Sequence, residues 1–274
     1  MTLFELIKAA IKEDMPSGDL TTESLAMAPK MGHAKLIAKQ DLILSGSSAF
    51  EQTMLMLDPT IKVVWHFEEG QKILQKQIIC TLQGDLVQIL KAERVALNFL
   101  MHLSGIATLT RKFVDLVNPY GTKILDTRKT TPAYRELEKR AVVHGGGLNH
   151  RLNLSTAILI KDNHISMMSG ITPAVERVRS YTDTAIEVEA KNISEVKECV
   201  GLKIQRVLLD NMNNDLLKQS LALIPPGMES EASGNMSLDR VAQVAELGVN
   251  YISVGALTHS APSVDVSLLF DWGK

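Results

Sequence analysis

The pattern of hydrophobic and polar residues changes near residue 121. From there to residue 255, short apolar runs recur about every 20 to 30 residues, with amphipathic stretches of helical periodicity between them. This alternation predicts parallel strands connected by helices. The predicted strands are residues 124–126, 157–161, 185–189, 207–210, 229–233 and 251–255, and the clearest helical patterns are 193–200, 216–223 and 238–247.

Parallel strands and helices in this order form either an open doubly wound sheet or a barrel. The glycine fingerprint that opens a dinucleotide-binding sheet is absent, so we favour a barrel. In barrels, catalytic side chains lie at the carboxyl ends of the strands. Five predicted strands end in chemically active side chains, namely Asp126, Lys161, Glu189, Asp210 and Ser233.

The first 105 residues have a mixed α/β pattern. Thr2 and Glu5 have the spacing of a capping box ahead of an amphipathic helix over residues 3–13. A helical pattern also extends from about residue 86 to 117, with an interruption predicted near Ser104-Gly105. Strand-like runs lie between these helices, at residues 34–38, 62–67 and 77–82.

The C-terminal tail alternates with period two at Val264, Val266, Leu268 and Phe270, which predicts one last strand. We therefore predict an N-terminal α/β domain at residues 1–105, to which a strand within 264–274 can return. The catalytic barrel domain would span residues 106–263.

Composition narrows the possible partners. The 274 residues carry a formal net charge of -2, so no global field attracts nucleic acid or an anionic membrane. No apolar run approaches the roughly 20 residues of a membrane span. The N-terminus lacks the pattern of a signal peptide, and Cys80 and Cys199 lie in apolar surroundings typical of buried thiols in a reducing compartment. We expect a cytoplasmic protein.

A local basic cluster stands out against this neutral background. Arg128 and Lys129 follow the first barrel strand, His150 and Arg151 follow the triple glycine 145–147, and Lys161 ends the next strand. Each residue alone could be a solvated surface charge. Together, at converging strand ends, they predict a cleft that binds a small polyanion, because arginine can hold a carboxylate or phosphate bidentately.

Two further groups of strand-end residues leave more than one reading open. Glu189 and Asp210 could act as general acid and base, hold a hydrated Mg²⁺, or form ion pairs with the nearby cations. Small residues at the last two strand ends suit either a phosphate held by backbone N–H groups or a tight turn. These residues are Ser233, Gly234, Ser253 and Gly255.

These motifs together resemble the quinolinate phosphoribosyltransferase family, also called nicotinate-nucleotide pyrophosphorylase (carboxylating). The resemblance covers nearly the whole chain and begins at Gly18-Asp19-Leu20-Thr21 and Glu93-Arg94-Val95-Ala96. Its most specific stretch contains Asp126-Thr127-Arg128-Lys129-Thr130, Gly147-Leu148-Asn149-His150-Arg151 and Lys161-Asp162-Asn163-His164. It continues through Glu187-Val188-Glu189, Leu209-Asp210-Asn211, Glu231-Ala232-Ser233-Gly234 and Ser253-Val254-Gly255-Ala256.

The resemblance implies a fold and a reaction. The fold is an N-terminal α/β sandwich followed by an incomplete, open α/β barrel of parallel strands. The reaction converts quinolinate and phosphoribosyl pyrophosphate, with Mg²⁺, into nicotinate mononucleotide, pyrophosphate and CO₂ in NAD biosynthesis. The assembly implied is a homodimer with shared active sites, or a higher oligomer of such dimers.

The resemblance also implies roles for individual residues. The quinolinate pocket would be lined by Arg128, His150, Arg151 and Lys161. Lys129 would face the pyrophosphate, and Arg94 would reach into the active site of the partner subunit. Glu189 and Asp210 would serve the ribose hydroxyls and Mg²⁺, directly or through water. The 5′-phosphate would be held by Ser233, Gly234, Ser253 and Gly255, and the catalytic set would be Lys129, Lys161, Glu189 and Asp210.

Three other readings stay open at this point. A related molybdenum-transport-associated protein shares the fold, although the intact Lys161-Asp162-Asn163-His164 motif argues against it. A non-catalytic dimer could bind an anionic metabolite without reacting it. A barrel lyase or aldolase could use Lys161 as a Schiff base, although the flanking arginine and histidine argue against that chemistry. One local departure from the family is Ala133-Tyr134, where Gly-Leu is usual.

Overall fold

The computed structural model describes residues 1–271, which belong to two compact units. Unit 1 comprises Met1–Arg111, Thr131–Gly146 and the residues from Ala261 onward, and unit 2 comprises Lys112–Thr130 and Gly147–Ser260. The units alternate along the chain, and the predicted division at residue 105 stays a prediction. The mixed α/β class is confirmed, with an antiparallel sheet in unit 1 and a parallel sheet in unit 2.

Unit 1 is built on a four-stranded antiparallel sheet in the order β12-β1-β5-β3, with a separate pair, β2-β4. The strands are β1 (Met31–Ala38), β2 (Leu42–Ile43), β3 (Lys62–Trp65), β4 (Lys72–Ile73), β5 (Ile78–Asp85) and β12 (Val266–Asp271). The helices are α1 (Leu3–Asp14), α2 (Leu20–Ser24), α3 (Ser47–Leu57), α4 (Leu86–Val117), which ends in unit 2, and α5 (Arg135–His144).

Local sequence signals account for two features of unit 1. The capping box of α1 is present, since the Glu5 N–H donates to Thr2 Oγ1 and the Thr2 N–H donates to Glu5 Oε2. β12 pairs antiparallel with β1 along its length, where the period-two pattern predicted a strand. An apolar core that includes Leu36, Phe50 and Leu82 fills the unit.

The predicted interruption of α4 is wrong, because the helix runs continuously through Ser104 and Gly105. A Cβ on Gly105 would lie 2.2 Å from the Pro262 carbonyl oxygen, so the glycine permits a close approach of two backbones. Ser104 Oγ donates to the Ser45 carbonyl at 2.9 Å and accepts the Ser45 N–H at 3.0 Å. Both residues therefore serve tertiary contacts, which local periodicity cannot reveal.

Unit 2 is a six-stranded parallel sheet in the order β6-β11-β10-β9-β8-β7. Within the described residues the edge strands β6 and β7 are not paired with each other. The barrel is therefore not closed, as expected for an open barrel. Its strands are β6 (Lys123–Leu125), β7 (Ile158–Ile160), β8 (Ile186–Ala190), β9 (Arg206–Asp210), β10 (Glu229–Ser233) and β11 (Tyr251–Ser253). Its helices are α6 (Asp162–Met167), α7 (Ile171–Arg179), α8 (Ile193–Val200), α9 (Asn214–Leu221), α10 (Leu238–Glu246) and α11 (Ala256–His259), and a short 3₁₀ turn spans Asn118–Tyr120.

The strand register places charged residues side by side in the barrel. Arg206 lies opposite Glu187 on one neighbour and Glu229 on the other. Four residues further along these strands, Ser233 lies opposite both Asp210 and Ser253. Side chains two residues apart on a strand share a face, so the strands present polar groups in successive layers along one face of the sheet.

Candidate active site

A cavity of about 320 Å³ opens where the strands of unit 2 end. All of its lining residues belong to unit 2, although they come from widely separated parts of the sequence. They are Thr127, Arg128, Lys129, His150, Arg151, Leu159, Lys161, Glu189, Leu208, Asp210, Glu231, Ser233 and Ser253.

Two arginines form a pair of half-buried cations in this cavity. Arg128 Nε is buried and has no hydrogen-bond partner within residues 1–271. Burial, followed by the charge of Arg128, lowers the pKa of Arg151 from its ordinary value, against an opposing effect of Glu187. Like charges held close together favour an anion between them, so this wall of the cavity suits a carboxylate or phosphate.

Lys129 is held by its backbone and by close packing of its stem. Its carbonyl accepts the Thr258 hydroxyl at 2.7 Å, and its N–H donates to Thr127 Oγ1 at 3.0 Å. A Cβ on Gly255 would come within 3.2 Å of Lys129 Cδ, so a larger residue there would displace the lysine. The ammonium group stays on an exposed side chain at the cavity mouth.

The cavity also carries carboxylates. Lys161 Nζ lies 3.7 Å from Glu189 Oε2, and the lysine side chain is 46% exposed. Burial, and next the charge of Asp210, raises the pKa of Glu189, while Lys161 opposes this shift. Asn211 Nδ2 donates to Asp210 Oδ2 at 2.8 Å. Two carboxylates that repel one another form an oxygen-rich donor set of the kind that Mg²⁺ prefers.

The turn after β10 requires glycine. Gly234 has a φ of +97°, and a Cβ there would lie 2.2 Å from Asn211 Oδ1. The Asn211 N–H in turn donates to the Ser233 carbonyl at 2.9 Å. The turn therefore fixes the carboxamide that binds Asp210.

The least expected part of the site is a group of three residues, the buried cluster: Glu187, Glu231 and His150, of which the last two line the cavity. His150 Nε2 lies 3.1 Å from Glu187 Oε2 and 3.7 Å from Glu231 Oε1. The backbone N–H of His150 donates to the fully buried Asp126 at 2.8 Å. Neither glutamate was predicted to have a role in the site. They lie two residues before Glu189 and Ser233, on the same strand faces. This spacing was the available signal that both glutamates belong to the site.

The structure brings together most of the predicted site residues. Nine of them line the one cavity, namely Arg128, Lys129, His150, Arg151, Lys161, Glu189, Asp210, Ser233 and Ser253. Gly234 and Gly255 flank it, each packed against another residue of unit 2. Arg94 belongs to unit 1, where its side chain is exposed on α4. Its predicted role in a partner's site stays a prediction, as do the individual roles of the other residues.

Comparison with known proteins places the chain in a family. Residues 19–104 match the model for the N-terminal domain of quinolinate phosphoribosyl transferase, and residues 106–269 match the model for its C-terminal domain. Both the order of the two matches and their extent agree with the motifs that the sequence analysis identified. The chain belongs to the quinolinate phosphoribosyltransferase family.

Individual relatives agree with this assignment. The chain is 39% identical to quinolinate phosphoribosyltransferase [decarboxylating] 2b, mitochondrial, of Nicotiana tabacum, over 98% of the chain and 82% of the relative. It is 36% identical to a probable nicotinate-nucleotide pyrophosphorylase [carboxylating] of Bacillus subtilis, over 98% and 93%. The solved nicotinate-nucleotide pyrophosphorylase from Francisella tularensis superposes with a TM-score of 0.95 at 35% identity, covering 98% of this chain and 96% of that one.

None of the helices in residues 1–271 is both long and apolar enough to cross a bilayer.

Proposed function

We propose that this protein transfers the phosphoribosyl group of phosphoribosyl pyrophosphate to quinolinate and releases pyrophosphate and CO₂, giving nicotinate mononucleotide for NAD biosynthesis. The observation that carries the proposal is the convergence of nine predicted site residues, from positions 128 to 253, on one cavity of a family member. Both substrates are polyanions, and the cavity offers arginines and lysines that can bind them, together with carboxylates that can bind a cation.

Quinolinate would be recognised mainly by the two arginines of the cavity. The pyridine dicarboxylate needs several donors in fixed directions, and guanidinium groups hold carboxylates bidentately. Arg128 and Arg151 would bind the two carboxylates, with His150 and Lys161 completing the pocket. The unpartnered, buried Nε of Arg128 supports this role, since a buried donor without a partner is unfavourable until a ligand accepts from it.

Glycosyl transfer requires charge stabilisation more than a protein nucleophile. The ring nitrogen forms a bond to the ribose C1 while the C1–O bond to pyrophosphate breaks. Positive charge that develops on C1 is stabilised by a nearby carboxylate such as Glu189, and Lys129 stabilises the departing pyrophosphate. Loss of CO₂ from the ring carbon beside the nitrogen then leaves an electron pair there, which takes up a proton. Lys161, at the same cavity, supplies a positive charge that favours this step.

The carboxylates fit a magnesium ion. Glu189 and Asp210 would hold it, directly or through water. Burial, and next the charge of Asp210, raises the pKa of Glu189, and the repulsion between the two carboxylates favours a divalent cation between them. When bound, Mg²⁺ neutralises charge on the pyrophosphate of the donor substrate.

The assembly and compartment are further parts of the proposal. We propose a homodimer, or a higher oligomer of such dimers, in which Arg94 completes the active site of the partner subunit. The exposed position of this arginine on α4 supports the idea, because its charge is available to a neighbour. The two cysteines are buried and unpaired within residues 1–271, which supports a reducing, cytoplasmic location.

One assay tests the activity. Purified protein is incubated with quinolinate, phosphoribosyl pyrophosphate and Mg²⁺, and nicotinate mononucleotide is quantified by chromatography. Nicotinate replaces quinolinate in the control, because it lacks the carboxylate that leaves. We expect product from quinolinate alone. Binding of quinolinate without any product would instead indicate the non-catalytic anion-binding alternative.

A further inference from the structure

The buried cluster combines two carboxylates with very little compensating charge. The candidate ligand atoms of Glu187, Glu231 and His150 all lie within 4.8 Å of one another. Glu231 is fully buried, and Glu187 is 8% exposed. Such a set could hold either a metal ion or a proton, and the orientation of the histidine distinguishes the two.

The imidazole of His150 is oriented for proton donation. The Arg151 backbone N–H donates to His150 Nδ1 at 2.7 Å, which occupies the lone pair of that nitrogen. The proton of a neutral ring is then on Nε2, the nitrogen that faces both glutamates. A metal ion would need a lone pair at Nε2, so this arrangement favours a shared proton over a metal.

A single guanidinium group, that of Arg206, forms an ion pair with Glu231. Arg206 Nη1 lies 3.0 Å from Glu231 Oε2, but the same side chain also binds Glu229 Oε2 at 2.8 Å. Glu231 Oε1 and Glu187 Oε1 are buried and accept no hydrogen bond from residues 1–271. Protonation of Glu231 would remove one buried negative charge. It would also supply a hydrogen-bond donor where the buried carboxylate oxygens lack one.

The titration of Glu231 agrees with this geometry. Burial, followed by the charge of Glu187, raises the pKa of Glu231 to about 7, while His150, Ser253 and Arg206 oppose the shift. The pKa of His150, the histidine of the cluster, is also shifted. Burial lowers the pKa of His150, but its hydrogen bond to Glu187 and the two glutamate charges raise it more. Tyr251 is paired with Glu231 on the neighbouring strand, but its hydroxyl donates to Glu229 Oε1 at 3.0 Å, and Arg206 lies 3.9 Å above its ring.

The buried cluster borders the cavity in which the substrate is proposed to bind. Glu231 and His150 line the cavity that also contains Arg128 and Arg151. A dianion bound to the two arginines adds negative charge close to Glu231, which disfavours the ionised glutamate. We propose that binding of the pyridine dicarboxylate is coupled to proton uptake at Glu231, so that this side chain is a neutral carboxylic acid in the complex. The inference rests on the proposed function for the identity of the ligand.

The direction of the pH dependence follows from linkage. If the bound ligand makes Glu231 harder to ionise, affinity is constant below about pH 7, where the glutamate is already protonated. Above that pH the Kd of quinolinate rises by up to about tenfold per pH unit, until the glutamate ionises in the complex as well. The carboxyl groups of quinolinate are ionised throughout this range, so the ligand itself adds no such dependence.

Calorimetric titration with quinolinate measures the coupled proton directly. Binding heats at pH 7.5 are compared in two buffers of different ionisation enthalpy, for the wild type, Glu231→Gln and Glu229→Gln. The last variant is a matched control, because Glu229 lies on the same strand and binds the same arginine but does not line this cavity. We expect wild type and Glu229→Gln to take up a fraction of a proton, and Glu231→Gln to take up none and to lose the pH dependence of Kd.

Two results would overturn the inference. One is binding without proton uptake by the wild type. The other is undiminished uptake by Glu231→Gln, which would assign the proton to His150. If that variant does not fold, an infrared difference spectrum of the wild type decides: quinolinate must produce the carbonyl band of a protonated carboxylic acid, and its absence contradicts the proposal. A protein that binds quinolinate with proton uptake yet forms no product would leave this inference intact and refute the proposed function instead.

Discussion

The two sheets of the protein bury their residues for different purposes. β1 in unit 1 alternates, and its inward positions Ala34, Leu36 and Ala38 are all apolar and at most 1% exposed. β8 in unit 2 buries all five of its residues, and two of them are Glu187 and Glu189. The antiparallel sheet follows the usual division into an apolar and a polar face. The parallel sheet places charge on a face that is also removed from water.

This difference distinguishes residues that stabilise the fold from residues that serve the chemistry. Each fully buried leucine, isoleucine, phenylalanine or methionine side chain of unit 1 contributes about 1.5–3 kcal/mol to folding. A buried carboxylate lowers stability unless it is paired and hydrogen-bonded. Charged side chains inside unit 2 are therefore not explained by folding, whereas a function that binds anions and a cation accounts for them. Four sets of substitutions, each with a matched control, test this separation.

The largest effect on stability is expected in unit 1. Phe50 is fully buried and makes an edge-to-face contact with Trp65 at 5.6 Å. Phe50→Ala should lower the free energy of unfolding by about 3–5 kcal/mol, measured by urea denaturation. Phe4→Ala, at a position that is 60% exposed, should lower it by less than about 0.5 kcal/mol. Equal losses would mean that the apolar core does not determine the stability of this unit.

The largest effect on chemistry is expected at the two cavity lysines. Lys129→Ala and Lys161→Ala should each lower kcat by about 10²–10³-fold, because each removes a charge that stabilises the transition state. Circular dichroism should show an unchanged fold. Lys62→Ala in β3 removes an exposed charge of unit 1 and should leave kcat unaltered. Near-wild-type rates for both cavity variants would contradict the assigned chemistry.

A smaller effect is expected at the turn after β10. Gly234→Ala combines a left-handed backbone, strained by about 1–2 kcal/mol, with a clash against Asn211. We expect the KM for phosphoribosyl pyrophosphate to rise about tenfold, as 1.4 kcal/mol corresponds to a factor of ten. Gly248→Ala has the same backbone strain, with a φ of +87°, but no atom within 4 Å of its Cβ. It should lose stability without a change in KM, and matching KM values for both variants would rule out a role for the turn.

The smallest effect concerns a departure from the family pattern. Ala133 is exposed and has a φ of +66°, a conformation that favours glycine. Ala133→Gly should raise the free energy of unfolding by up to about 1 kcal/mol. Ala222→Gly, at an exposed position with a φ of -64°, should lower it by about 0.5–1 kcal/mol. Thermal denaturation of both variants measures whether stability rises or falls. A loss of stability in Ala133→Gly would contradict the proposed backbone strain at residue 133.

The sequence predicts the barrel strands well because their signal is local. Apolar runs that end in polar residues mark β6 to β11, and strand ends converge in any parallel barrel. The same logic brought Arg128, Lys161 and Asp210 to one cavity. It also explains why the two short strands β2 and β4 were missed, since two residues carry no periodicity.

The buried cluster could not be predicted in the same way. Spacing places Glu231 on the same strand face as Ser233, but not next to any particular partner. Its contacts with Arg206 and His150 depend on the register of neighbouring strands and on the loop that carries His150. The need for a glycine at position 105 of α4 likewise comes from Pro262, which is remote in sequence. Interactions of this kind are fixed by tertiary packing alone.

The most direct test of the central claim follows the carboxyl group that leaves. Quinolinate labelled with ¹⁴C in the carboxyl at ring position 2 is incubated with the protein and Mg²⁺, with and without phosphoribosyl pyrophosphate, and released ¹⁴CO₂ is counted against pyrophosphate. We predict equal amounts of both products, and CO₂ only when phosphoribosyl pyrophosphate is present. No ¹⁴CO₂, or the same release without the phosphoribosyl donor, would contradict the account.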